Sequence, residues 1–84
     1  VICGTIDEVV DDPNSGYTRV RINLGSNDRL RENARFYIIR DNTQYLGDLI
    51  VESVDLNHAV GRVAFVKDNQ IVRPGDQVQS KLGS

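Results

Sequence analysis

Apolar and polar residues alternate along most of this chain. In Tyr17–Leu24, the residues Thr18, Val20, Ile22 and Leu24 fall on one side, and Arg19, Arg21 and Asn23 on the other. A period of two with one apolar side predicts a half-buried strand with its arginines facing outward. Ile2–Val10 is β-branched with interleaved polar residues and reads as a strand too. Between them, Asp11–Gly16 holds Pro13, Asn14, Ser15 and Gly16, which is turn chemistry. Further strands are predicted at Ala34–Arg40, Gln44–Asp55, Ala59–Val66 and Asp76–Lys81. Tight turns are expected at Asp41–Thr43 and Leu56–His58. Gly47 and Gly61 interrupt strand patterns, as bulges and sharp bends do. Gly25–Asn33 is too short for a real helix, but Ser26-Asn27-Asp28 suits a single helical turn leading to Leu30.

The pattern therefore holds six strands and no helix. An open sheet this small leaves two raw edges, and closure removes them. We expect an all-β fold: one small closed six-stranded β-barrel over residues 1–80, with residues 81–84 set apart as a tail. The core is expected to contain Val20, Ile22, Ile38, Ile50, Val54, Val63, Phe65 and Val78.

One phrase recurs. Leu30, Asn33 and Phe36 have the same spacing as Val72, Gly75 and Val78. Each set reads as an apolar plug, a sharp corner and the start of a strand. Glycine adopts the left-handed backbone without steric cost, and asparagine is the best substitute. Asn33 and Gly75 are thus expected as structural turns, with Asp76 bracing its turn through backbone amides. The recurrence suggests a pseudo-twofold internal repeat. On that view the Gly25–Asn33 and Lys67–Pro74 loops form one recognition surface.

Composition narrows the function classes. The chain is 39% hydrophobic and 26% charged, with net charge −2. No apolar run approaches the roughly 20 residues that span a bilayer as a helix, so no membrane insertion is expected of this segment. There is no Met, and the chain opens on Val1-Ile2 in a strand-like stretch, which reads as a piece of a larger protein. The single Cys3 has no internal disulfide partner. Charge is uneven: residues 1–18 carry −4, residues 19–40 carry +4, and residues 41–84 carry −2. The central excess is all arginine, which favours fixed bidentate partners. Within the domain, the acidic first strand is an obvious candidate partner.

The stretch Pro74-Gly75-Asp76-Gln77-Val78 resembles the "GD box" of cradle-loop barrels, including translation-factor-like barrels. The run Ile22–Leu30, followed by Asn33 and Phe36, is similar to small barrels of bacterial envelope proteins, such as the C-terminal module of flagellar assembly protein T. Arg29 and Asn33 stand where those barrels usually have glycine. The resemblance implies a bacterial structural or interaction module, with an envelope or periplasmic location favoured over the cytoplasm. It implies no reaction.

The residues point the same way. His58 lies in an expected turn with no second histidine, so no transition-metal site is expected. Asp11, Asp12 and Asn14 lack calcium-loop spacing. No nucleophile elbow, Walker or dinucleotide glycine pattern is present. We expect no catalytic residues, no metal and no cofactor. The candidate binding surface is Arg19, Arg21, Arg29, Arg31, Arg35, Arg40 and Tyr37; of these, Arg19, Arg21, Arg35 and Arg40 share one face if the second and third strands are neighbours. The expected partner is a protein or a second copy of the chain. Two alternatives stand beside this: a single-stranded nucleic acid held by the arginine face, and an engineered barrel with no selected ligand. Arginines with interleaved aromatics suit the nucleic-acid alternative, whereas the net acidity of the chain opposes it.

Overall fold

The computed structural model describes residues 2–81. Its strands are β1 (Cys3–Asp11), β2 (Thr18–Ile22), β3 (Arg35–Arg40), β4 (Gln44–Val54), β5 (Ala59–Val66) and β6 (Gln77–Gln79). Neighbours pair antiparallel, and the order β1-β2-β5-β4-β3-β6 closes on itself. This is the closed six-stranded barrel that the alternation predicts. Ser26–Asp28 forms the single 3-10 turn expected there, and Lys67–Asn69 forms a second that the sequence did not announce.

Val20, Ile22, Ile38, Val63 and Val78 are buried as expected, joined by Ile6, Leu46, Leu49 and Val51. Two expected core residues are misplaced, and both errors come from bulges. Asp48 pairs with Phe65 but Leu49 pairs with Val63, so Ala64 is skipped. One extra residue inverts the alternation beyond it. Val66 therefore packs against the core, while Phe65 turns outward and is 51% exposed. Likewise Val51 pairs with Gly61 but Ser53 with Val60, so Glu52 is skipped. Ile50 then faces outward and lies outside the core cluster, while Val54 packs partly against it. At Gly47 the strands come so close that a Cβ would collide with the Phe65 carbonyl oxygen.

Both corners adopt the left-handed backbone, with φ of 67° at Asn33 and 96° at Gly75. The Asn33 amide donates to the Val51 carbonyl (2.7 Å), and the Val51 amide donates to the Ala34 carbonyl (2.9 Å). At the other corner, the Gly75 amide donates to the Ile6 carbonyl (2.8 Å), and the Ile6 amide donates to the Asp76 carbonyl (2.8 Å). Each corner thus grips one inward-facing strand residue from both sides. Leu30 and Val72, ahead of the corners, are buried, as are Phe36 and Val78 beyond them.

β2 and β5 pair antiparallel, so the loops leaving their C-terminal ends depart from opposite ends of the barrel. The Gly25–Asn33 and Lys67–Pro74 loops therefore do not form one surface. The first is stitched to the β4–β5 turn: the Ser26 amide donates to the Asp55 carbonyl (2.9 Å), and the Asn27 amide to that of Leu56 (3.1 Å). At this same end Ile2 and Ser80 meet. The Ile2 amide donates to Ser80 Oγ (2.8 Å), and the Ser80 amide to the Ile2 carbonyl (2.9 Å).

Candidate binding surface

β2 neighbours β1 and β5, whereas β3 neighbours β4 and β6. Arg19 and Arg21 on β2 therefore do not share one face with Arg35 and Arg40 on β3. The seven candidates divide by what their side chains touch.

Two arginines are committed to partners inside the domain. Arg19 donates through Nε to Glu52 (2.8 Å) and through Nη1 to Asp12 (2.7 Å). The Glu52 bond raises the Arg19 pKa further. Asp12 is itself tied into its turn, accepting from the Ser15 hydroxyl and the Asn14 amide, each at 3.0 Å. The Ser15 bond, then the Asn14 bond, lowers its pKa. That carboxylate is spent on the turn and on Arg19. Arg40 clasps Asp76 with two bonds of 2.9 Å and sends a third, of 2.7 Å, to the Ile71 carbonyl. The Asp76 carboxylate also accepts from the Arg73 amide (2.8 Å), and the residue is only 5% exposed. Asp76 does brace its corner through a backbone amide, as expected. Its main partner, Arg40, lies 36 residues away.

Three arginines come together at the other corner. Arg29, Arg31 and Arg35 line a depression of about 180 Å³ whose floor is Ile2, Leu30, Ala34 and Phe36. Among the described residues, neither Arg29 nor Arg31 forms an ion pair. Arg35 reaches only Asp48, at 3.8 Å, and its side chain is 61% exposed. Arg29 holds a φ of 66°. A side chain in that region costs roughly 1–2 kcal/mol relative to glycine.

Tyr37 lies farther along β3, with its ring 6.2 Å from that of Tyr45 and edge-on to it. The Tyr45 hydroxyl donates to Asp48. Burial first, and that bond second, push the Tyr45 phenol up to about 12. Arg21 stands apart on β2, exposed and in register with Glu8 on β1 and Val60 on β5. A wider groove, about 500 Å³, runs over the outside of β1 and β2 past Val10, Pro13 and Val60. Its rim mixes Glu8, Asp11 and Asp12 with Arg19 and Arg21, so it carries no dominant charge.

His58 is exposed in the β4–β5 turn, where its carbonyl accepts from the Asp55 amide (2.8 Å). Cys3 is exposed at the start of β1. Among the described residues, no group of three or more His, Cys, Asp or Glu side chains is placed to hold a metal.

Sequence reasoning missed Glu52 and Asp48. Their arginine partners are 33 and 13 residues away on other strands, so no local spacing announces them. The Asp12–Ser15 turn was legible, because an aspartate ahead of Asn and Ser commonly bonds forward to their backbone or hydroxyl groups. No protein-family model matches the chain, and no curated protein or solved structure matches it either.

Proposed function

We propose that this barrel is a non-catalytic interaction module that engages a protein partner through Arg29, Arg31 and Arg35. One observation carries the reading. Arg19 and Arg40 are satisfied within the domain, whereas Arg29 and Arg31 pair with no carboxylate among the described residues, and Arg29 sits on backbone that glycine would occupy at lower cost. Strain held at an exposed side chain with no partner among the described residues argues for an external one. Guanidinium groups gain most from fixed carboxylates.

Support for an internal repeat comes from matched details. Exchanging β1–β3 with β4–β6 leaves the order of strands around the barrel unchanged. Each gripped residue, Ile6 or Val51, is followed by a skipped acidic one, Asp7 or Glu52. The Asp76 clasp gives the resemblance to GD-box barrels a physical role. A bacterial, envelope-associated parent protein is part of the same reading and rests on that resemblance.

The test is a capture experiment with the tagged chain and its Arg29→Glu/Arg31→Glu/Arg35→Glu form, with Lys67→Glu at the opposite end as control. Salt-sensitive partners held by the unmodified chain and by Lys67→Glu, but lost by the triple variant, are expected. An unchanged set of partners in the triple variant rules the corner out.

A further inference from the structure

The depression between the three arginines also constrains what occupies it. We infer that it takes a short acidic peptide segment in which one apolar side chain is flanked by carboxylates, an inference that rests on the interaction reading above.

Size comes first. Small-molecule sites usually enclose roughly 300–1,000 Å³, and the depression offers about 180 Å³. That suits one side chain, with the rest of the ligand lying across the rim. The floor selects the kind of side chain. Ile2, Leu30, Ala34 and Phe36 present carbon, and Ser80 closes one edge with its hydroxyl already bonded to the Ile2 amide. A polar group lowered onto that carbon would give up its water for at most one bond from the Ser80 hydroxyl, which penalises it. The rim selects the charge: Arg29 and Arg31 have no ion pair among the described residues, and Arg35 has only one, at 3.8 Å.

A nucleic acid fits this arrangement less well. Single strands bind by stacking bases on exposed rings beside a basic track. Phe36 is 1% exposed, and Tyr37 packs against Tyr45. Asp48, bonded to Tyr45 and 3.8 Å from Arg35, adds a negative charge beside the basic group. A peptide needs neither stacking nor a continuous track.

Fluorescence anisotropy of the full chain tests the inference with four labelled probes. They are a peptide with phenylalanine between two pairs of aspartates, the same peptide with serine in place of phenylalanine, the same with asparagines in place of aspartates, and a short oligothymidylate. The first peptide should bind at least about tenfold more tightly than the other three. Arg31→Glu should weaken it by about tenfold or more. Ala34→Leu, which fills the depression, should bring it down to the level of the serine peptide. Both variants are checked for an unchanged circular dichroism spectrum. Equal binding of the phenylalanine and serine peptides would overturn the inference and leave the interaction corner standing, as would no peptide binding while captured partners still depend on the three arginines. Tighter binding of the oligothymidylate would overturn both, as would no probe binding together with arginine-independent capture.

Discussion

The corners at Asn33 and Gly75 share a backbone and differ in the residue that comes next. Both turn through a left-handed residue, and both grip one strand residue with paired hydrogen bonds of 2.7–2.9 Å. After Gly75 comes Asp76, whose buried carboxylate binds Arg40 and the Arg73 amide. After Asn33 comes Ala34, whose side chain offers no acceptor, and the three arginines around it are exposed. One corner pairs its charge inside the molecule; at the other, Arg29 and Arg31 form no ion pair among the described residues and Arg35 reaches only Asp48, at 3.8 Å. The shared backbone closes both corners, while the Asp76 clasp braces only one of them.

Removing the internal clasp should give the largest effect. Asp76→Ala leaves the Arg40 guanidinium, with 24% side-chain exposure, without its carboxylate. Losing one partner of a buried pair costs about 3–5 kcal/mol, and contact with water puts Arg40 at the lower edge. Urea unfolding should therefore show a loss of about 3 kcal/mol. A loss below about 1 kcal/mol would erase the contrast between the corners.

The shared backbone is tested next. Gly75→Ala meets no atom within 4 Å, so only the φ of 96° is penalised. The expected loss is about 1–2 kcal/mol. Asn33→Gly should change stability by less than that, because asparagine already tolerates the left-handed region. Equal losses at the two positions would mean that the corners are not equivalent in backbone terms.

Arg29→Gly sharpens the functional side of the contrast. Relief of the strained backbone should raise stability by about 1 kcal/mol, while affinity for the acidic peptide falls. Opposite signs in the two assays are the expected signature, and a loss in both would make Arg29 a structural residue.

Alkali probes the strand beside the open corner and should have the mildest effect. The Tyr45 phenol is raised from 10.0 to about 12 in the folded chain. The folded state holds that proton more tightly than the unfolded one, so its contribution is intact below about 10 and fades as pH climbs through about 12. Tyr45→Phe should flatten this part of the pH–stability profile. An unchanged profile would show that the Tyr45 phenol is not held in this buried, Asp48-bonded position in solution.

Much of this architecture was legible in the sequence because alternation and turn residues are local. Val20, Ile22 and Leu24 announced an inner face, and all three are buried. Spacing alone also placed the corners at Asn33 and Gly75. Phe65 and Ile50 went wrong because a bulge is decided by how strands must bend to close a ring, and nothing at Ala64 or Glu52 marks an extra residue. The arginine surface was only partly legible. Which guanidinium meets which carboxylate depends on strand order, and sequence distance does not reveal that β5 lies between β2 and β4. Arg29, Arg31 and Arg35 could be grouped in advance because one loop carries them to one corner.

The bonds between Ile2 and Ser80 bear on how the barrel answers force. Tension applied through those two residues loads the β1–β6 seam from its open end. That seam is antiparallel and three residue pairs long, starting at Cys3 opposite Gln79. The hydrogen bonds would then give way one after another, as in a zipper, instead of all resisting together in shear. Pulled from these two residues, the barrel is a clasp that releases length, not a link that bears the strain.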